Sequence, residues 1–183
     1  MFDVGVTEAL LSLSTITKIE NLLPSLMNII HQNLEVEKSI LILPTATSSK
    51  ITFENSNLEI TRIVDATLAI ARSENNSFSF QLEESVPLAD YPALPLSLIY
   101  QIELTRETIV INDFYREVQL AKEDPYLVKH KPRNLLCLPL IDDAQVAGIF
   151  YFENNFNPEG FTEKNLELIE HIATQAIASL FNL

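Results

Sequence analysis

The sequence contains one cysteine, no tryptophan and only three glycines among its 183 residues. Because Cys137 has no second cysteine to pair with, a disulfide within the chain is excluded, and no Cys/His cluster with zinc spacing is present. So few glycines also argue against a glycine-rich phosphate-binding loop. Cysteine usage therefore predicts a reducing, cytoplasmic setting, and the sequence predicts no metal ion, no cofactor and no catalytic residues.

Positive charge is scarce as well, since 12 Lys and Arg residues stand against 25 Asp and Glu residues, giving a formal net charge of -13. An acidic surface repels nucleic-acid phosphates and anionic lipid headgroups, so neither nucleic acid nor membrane is an expected partner. No apolar run reaches the roughly 18 to 20 residues that a bilayer crossing requires. A solvated acidic face explains the charge without any cation-binding role.

The hydrophobic content of 47% is sufficient for one core in a chain of this length. We predict an N-terminal helical extension over residues 1–20 and one domain over residues 21–183. Apolar residues spaced three to four apart predict two helices near the N-terminus, over about residues 6–17 and 22–33. With Asn21 as N-cap of the second helix, Pro24 would fall in its first turn, where a missing N–H is tolerated.

Short β-branched or alternating segments predict strands in the middle of the chain. These are residues 39–43, 51–53, 58–64, 77–82 and 108–111, with a helix over 96–103, while residues 67–72 fit either a helix or a strand. The clearest unit is a hairpin formed by strands 135–141 and 146–152. Both strands are apolar on both faces, so we expect helices to cover both faces of the sheet.

A C-terminal helix is predicted from Thr162, a suitable N-cap, to about residue 180. Its apolar residues cover about half of the helix circumference, which is more than packing on one sheet requires. The excess predicts a second contact with the N-terminal helices, either within the chain or across a dimer. If across a dimer, the interface residues are Leu10, Leu13, Ile16, Leu168 and Ile172.

Four segments resemble one known family. Asp124-Pro125-Tyr126, the runs over residues 133–140 and 147–155, and Gly160-Phe161-Thr162 are similar to the GAF domains of large bacterial multi-sensor kinases, especially cyanobacterial proteins with Ser/Thr kinase and histidine kinase domains. The resemblance covers about residues 21–180. It implies an α/β (α+β) fold with a central antiparallel sheet of about six strands, helices on both faces, and terminal helices packed together.

The resemblance also implies a function. A GAF domain of this kind is a regulatory, sensory domain of a signal-transduction kinase, acting through an unidentified small ligand, helix-mediated homodimerisation or both, and passing its signal to a downstream kinase domain. The isolated domain is not expected to be an enzyme. The alternative is a ligand-free interaction or dimerisation spacer whose pocket is filled by large side chains such as Phe78, Phe80, Tyr100, Tyr115 and Tyr126.

Known GAF chemistries fit this sequence poorly. Cyclic-nucleotide-binding members share an Asn-Lys, Phe, Asp-Glu pattern. Asn154 and Phe161 match it, but Asn155 replaces the Lys, and Asn165 with Leu166 replaces the acidic pair. Members that attach linear tetrapyrroles need a Cys where this chain has about Pro125 and Tyr126, and members that reduce free methionine sulfoxide need two thiols.

A pocket, if the chain has one, is predicted between the sheet and residues 96–131. Segments of this kind, which lie across a sheet, commonly shape ligand pockets. The candidate ligand-binding residues are Leu98, Asp113, Tyr115, Tyr126 and Cys137.

Overall fold

The fold is described by a computed structural model that covers residues 4–52, 59–114 and 123–181. Five helices and six strands are present in these ranges. In chain order they are α1 (Val4–Leu13), α2 (Ile19–Asn33), β1 (Lys38–Thr52), β2 (Glu59–Glu74), β3 (Ser77–Pro87), α3 (Leu96–Thr105), β4 (Ile109–Ile111), α4 (Pro125–His130), β5 (Asn134–Asp142), β6 (Gln145–Asn154) and α5 (Glu163–Phe181).

The strands form one sheet in the order β3-β2-β1-β6-β5-β4, and every neighbouring pair is antiparallel. The predicted hairpin is confirmed as β5 and β6, joined by a two-residue turn at Asp143 and Ala144. Both turn residues have positive φ, 48° and 60°, as this tight hairpin turn requires. The chain therefore has the predicted fold class, an antiparallel sheet of six strands.

Helices cover both faces of the sheet, as the apolar hairpin predicted. Alternate residues of a strand point to opposite faces, so β5 contributes Leu136 to one core and Cys137 to the other. The α2-side core lies between the sheet and helices α1, α2 and α5, and includes Leu10, Leu23, Leu26, Ile30, Leu136, Leu138, Phe150, Phe152, Ile169 and Ile172. The α3-side core lies under α3 and α4, and includes Ile40, Ile42, Leu98, Ile99, Ile102, Tyr126, Leu127, Leu135, Cys137, Ile149 and Tyr151.

The start of α2 differs from the prediction. The helix begins at Ile19 after Lys18, whose side chain makes no capping hydrogen bond, and the backbone N–H groups of Asn21 and Leu22 both donate to the Lys18 carbonyl. Asn21 is therefore inside the helix and Pro24 lies in its second turn. The proline ring leaves the exposed Glu20 carbonyl without a helical donor, and water can satisfy this carbonyl at the surface.

Residues 67–72, which fitted either helix or strand, belong to β2. Ala66, Ala69 and Ala71 are fully buried there, so packing in the central sheet overrides the helix propensity of alanine. Strand β1 also continues past Pro44, with a register shift between Pro44 and Ala46. The end of the predicted strand 51–53 and the start of 58–64 lie outside the described residues.

The predicted Thr162 cap of α5 is confirmed. The backbone N–H of Asn165 donates to Thr162 Oγ1 at 3.2 Å, and the Thr162 N–H donates back to Asn165 Oδ1 at 3.0 Å. This is the reciprocal pairing of a capping box, with Asn in place of Glu. Of the helices in the described residues, none combines the length and the apolar character that a bilayer crossing needs.

Candidate functional site

The structure brings together several of the predicted pocket residues beneath α3 and α4. Leu98, Tyr126 and Cys137 belong to the α3-side core and are 1%, 4% and 0% exposed. Asp113 follows β4 with a positive φ of 61°, and its backbone N–H donates to Asn134 Oδ1 at 2.9 Å. Tyr115 lies outside the described residues. These residues lie in the apolar core between the helices and the sheet, where the Tyr126 side chain is also buried.

A polar network crosses this apolar region. Lys38 Nζ donates to the Tyr126 hydroxyl at 3.0 Å and to the Ala93 carbonyl at 3.1 Å. The hydroxyls of Tyr126 and Tyr151 both donate to Glu153 Oε2, at 2.6 and 2.7 Å. Lys38 is 4% exposed and Glu153 is 8% exposed. We call Lys38, Tyr126, Tyr151 and Glu153 the Lys38–Glu153 network.

Strand register places the two charged residues side by side. Lys38 of β1 pairs with Glu153 of β6; Lys38 is the first residue of β1 and Glu153 the last but one of β6. Tyr151 precedes Glu153 by two residues, so its side chain projects from the same face. Three members of the network therefore come from two neighbouring central strands, which gives their side chains a rigid base.

Tyr126 comes from α4, and Asp124 fixes the position of that helix. Asp124 Oδ1 accepts hydrogen bonds from the N–H groups of Tyr126 and Leu127 at 2.9 and 3.1 Å. Its other oxygen, Oδ2, accepts from the Ser97 N–H at 3.0 Å and the Ser97 hydroxyl at 2.6 Å. One carboxylate thus caps α4 and ties it to the first turn of α3.

Burial shifts the pKa values of Lys38, Tyr126 and Tyr151. It lowers the pKa of Lys38, while the negative charge of Glu153 acts in the opposite direction. Burial and Glu153 together raise the pKa values of Tyr126 and Tyr151, so both phenols stay protonated and donate hydrogen bonds. A buried charge is tolerated when it is hydrogen-bonded and paired. The network meets that condition for an ammonium and a carboxylate inside an apolar core.

Sequence reasoning did not single out Lys38 or Glu153. The signal that was available is a charged residue at the edge of each of two strongly apolar segments, residues 39–43 and 146–152. Such residues are usually solvated, and only the β1–β6 register shows that these two face each other. Cys137, by contrast, is fully buried and burial raises its pKa, so its thiol is not a reactive thiolate.

The residues predicted for a dimer interface divide into two groups. Leu10, Leu13 and Ile172 are at most 2% exposed within one chain, where α1 and α5 pack on α2. Ile16 and Leu168 remain partly exposed. The most exposed apolar residues of α1 and α5 are Val4, Leu11 and Phe181, at 69%, 59% and 45%. The contact predicted between the terminal helices therefore exists within the chain, and the dimer stays a prediction.

An open cavity of about 440 Å³ lies elsewhere, beside the start of α5. Its lining joins α1, the α2–β1 connection and the β6–α5 connection, and includes Val6, Leu34, Val36, Asn154, Phe161, Lys164 and Leu168. The cavity is on the α2 side of the sheet. It is therefore separate from the predicted pocket under α3 and α4.

The chain belongs to the GAF domain family, whose family model matches residues 18–180. It is 31% identical over 87 residues to hybrid signal transduction histidine kinase G of Dictyostelium discoideum. That match covers 48% of this chain and only 2% of the kinase. The family places the chain among domains found in signal-transduction proteins.

Solved structures share the fold at low sequence identity. The GAF domain from Acinetobacter phosphoenolpyruvate-protein phosphotransferase superposes with a TM-score of 0.64 and 13% identity, covering 100% of this chain and 95% of that chain. The free methionine-R-sulfoxide reductase from Neisseria meningitidis, solved in complex with its substrate, gives a TM-score of 0.59 and 12% identity over 95% and 84% of the two chains. The fold therefore occurs in a GAF domain of a phosphotransferase and in a free methionine-R-sulfoxide reductase.

Proposed function

We propose that this chain is a sensory domain of a signal-transduction kinase and that the Lys38–Glu153 network is its ligand-responsive site. The observation that carries the proposal is a buried ammonium beside a buried carboxylate, joined through the hydroxyl of Tyr126. A stable core needs neither charge, because apolar residues of similar volume commonly stabilise a protein as well or better. Groups that are costly to bury are concentrated at functional sites.

The buried Tyr126 hydroxyl bonds to both Lys38 and Glu153, so a ligand of this site would bind by replacing the phenol. The ligand must present an acceptor to Lys38 and a donor to Glu153, because either charge left unpaired in the core would cost several kcal/mol. Tyr126 belongs to a helix of six residues, whose displacement disturbs fewer contacts than displacement of a strand. The site therefore suits a small polar molecule.

A chemical-rescue experiment tests whether this space accepts a ligand. Tyr126→Ala leaves a hole of phenol shape, and cavities of this kind bind aromatic molecules that match them. We expect phenol to raise the melting temperature of this variant and to leave the wild type unchanged, because binding to the folded state alone stabilises it. Tyr100→Ala is the matched control, since Tyr100 stacks with Arg62 at 4.5 Å and lies outside the network. Equal responses from the two variants would contradict the proposal.

We also propose that a second copy packs against the exposed apolar residues of α1 and α5, with α5 passing the signal to a downstream kinase domain. Support comes from Val4, Leu11 and Phe181, which are exposed on helices already packed together. Leu11→Glu should reduce the mass measured by light scattering from dimer to monomer. Leu104→Glu alters an equally exposed leucine on α3 and should leave the mass unchanged. A wild-type monomer at micromolar concentration would reject this part of the proposal.

The second candidate is a ligand-free interaction spacer, favoured by the burial of Tyr126, whose hydroxyl already bonds to both Lys38 and Glu153. Native mass spectrometry of freshly purified wild-type protein separates the two candidates. Added mass that disappears in Lys38→Met supports ligand sensing. An unmodified mass, together with no thermal shift from free amino acids, small carboxylic acids or amines, supports the spacer.

We propose finally that the domain is not itself an enzyme. The reductase fold neighbour invites comparison, but the one thiol of this chain, Cys137, is buried and protonated. Reduction of a sulfoxide by thiols requires a reactive thiolate and a second thiol to resolve the oxidised intermediate. We expect no reduction of free methionine sulfoxide by the purified protein in the presence of dithiothreitol, and measurable turnover would overturn this conclusion.

A further inference from the structure

Two asparagine side chains attach the beginning of α5 to the segments that flank α4. Asn134 begins β5, shortly after α4, and is 1% exposed. Its Oδ1 accepts from the Asp113 N–H at 2.9 Å, and its Nδ2 donates to the Asn157 carbonyl at 2.7 Å. This one amide therefore joins the β4–α4 connection to the β6–α5 connection.

Asn112 makes the second attachment, directly ahead of the α5 cap. Its Nδ2 donates to the Phe161 carbonyl at 2.9 Å, and its Oδ1 accepts from the Phe161 N–H at 2.8 Å. The neighbouring Gly160 has a φ of 68°, and a Cβ at that position would overlap the Asn112 side chain. The close approach therefore needs glycine for both conformation and space.

The two attachments connect both ends of the chain segment that contains α4, from Asn112 to Asn134, to the N-terminus of α5. Asn112 lies on the N-terminal side of this segment and Asn134 on its C-terminal side, where the Arg133 carbonyl also accepts from the Phe114 N–H at 2.7 Å. On the α5 side, Phe161 is the residue before the capping Thr162. A shift of α4 that is passed to either end of this segment would therefore reach hydrogen bonds made by Asn157 and Phe161, just ahead of the first turn of α5.

We propose that Asn112 and Asn134 form an amide clamp that couples the position of α4 to the first turn of α5. The clamp deepens the proposed function, since it would convert displacement of Tyr126 into a change at the first turn of α5. Both amides bond to backbone groups through their donors and acceptors, so the coupling depends on amide geometry. It does not depend on charge, and moderate salt should leave it unchanged.

Hydrogen–deuterium exchange tests the coupling without any ligand. Tyr126→Phe removes the hydroxyl shared by Lys38 and Glu153 and so perturbs α4 from inside the core. We expect this variant to increase exchange over residues 161–166 about fivefold, the change that loss of about 1 kcal/mol of local stability produces. In an Asn112→Ala background the same Tyr126→Phe change should alter residues 161–166 less than twofold, because the connection is already broken.

The controls separate coupling from general weakening. Asn33→Ala also removes an amide–carbonyl hydrogen bond, from Asn33 Nδ2 to the Ile29 carbonyl at 2.8 Å, and should leave the effect of Tyr126→Phe intact. If Asn112→Ala does not fold, Asn112→Asp keeps an acceptor for the Phe161 N–H but places a carboxylate oxygen against the Phe161 carbonyl, and it should weaken the coupling partly. An effect of Tyr126→Phe on residues 161–166 that is the same with and without Asn112 would overturn the clamp.

A further outcome distinguishes the clamp from the sensory site. Failure of phenol to rescue Tyr126→Ala would count against the ligand site and leave the exchange result intact. Exchange that rises over residues 127–134 but stays unchanged over residues 161–166 in Tyr126→Phe would show that α4 moves alone. That second result overturns the clamp whatever the ligand experiments show.

Discussion

The buried carboxyl group of Glu103 predicts how the unfolding free energy depends on pH. Its side chain is buried beneath α3, where Oε1 accepts from the Ile63 N–H at 3.0 Å. Burial raises its pKa from 4.5 to about 7, and the Ile63 hydrogen bond and the Arg62 charge oppose the rise only partly. Arg62 is 3.8 Å from Oε2 and about half exposed, so solvent weakens its compensation.

The sign of the pH effect follows from proton binding. Because the folded protein binds this proton more tightly than the unfolded chain, the contribution of Glu103 to stability is complete below pH 4.5 and is lost as the pH rises through 7. The interval between 4.5 and 7 corresponds to about 3 kcal/mol at roughly 1.4 kcal/mol per pH unit. Solvent that reaches the carboxyl group beside the half-exposed Arg62 reduces this free energy. We therefore expect the contribution of Glu103 to stability to fall by about 2 kcal/mol between pH 5 and pH 8.

Urea unfolding at several pH values measures this loss. The wild type minus Glu103→Gln difference in unfolding free energy should fall by about 2 kcal/mol from pH 5 to pH 8, because glutamine keeps the acceptor for Ile63 but does not ionise. Using the difference cancels the titration of other groups. Glu107→Gln changes an exposed carboxylate just beyond α3 and should follow the wild-type curve. If Glu103→Gln also follows that curve, the assignment of this titration to Glu103 is wrong.

Three further predictions use the same unfolding assay. Burial lowers the pKa of His31 to about 4. The difference in unfolding free energy between the wild type and His31→Gln should therefore increase as the pH rises from 4 to 6.5. A difference that does not change with pH would contradict the burial of a neutral ring. Gly160→Ala should destabilise the protein by about 2 to 4 kcal/mol through its positive φ and its overlap with Asn112, whereas a loss below about 1 kcal/mol would show that the loop relaxes. Lys38→Met should lower the unfolding free energy by about 3 to 5 kcal/mol. Adding Glu153→Leu should recover most of this loss, because removing both charges leaves none unpaired. Equal stability of the single and double variants would contradict charge pairing.

The fold was predictable because its strongest signals are local. The apolar hairpin showed that both faces of the sheet are covered, and Thr162 marked the beginning of α5. The prediction was weaker where packing against neighbouring strands decides the secondary structure. Residues 67–72 are an example, because their alanines lie in a strand only where the central sheet leaves room for small side chains. The N-cap of α2 was misplaced for a related reason, since Lys18 begins the helix without a side-chain capping bond that a sequence pattern could reveal.

Of the four residues in the Lys38–Glu153 network, the sequence analysis named only Tyr126 as a candidate. Leu98, Tyr126 and Cys137 were placed together because loops and short helices that cross a sheet enclose its apolar face. Lys38 and Glu153 are 115 residues apart in sequence, and their proximity depends on the pairing of β1 with β6, which composition does not specify. The terminal helices show a similar ambiguity, because a broad apolar face fits a contact within one chain as well as a contact between two.

The Lys38–Glu153 network lies where several segments of the fold meet. Its hydrogen bonds connect β1, β6, α4 and the loop carrying Ala93, so four segments share one set of directional contacts. An apolar filling would bury as much surface but would hold α4 in many orientations, since dispersion contacts are weakly directional. Directional bonds instead give α4 one preferred position and a defined set of partners to lose. If the domain senses a ligand as proposed, these are the contacts that the ligand replaces, at the point where the shortest helix of the described residues meets the centre of the sheet.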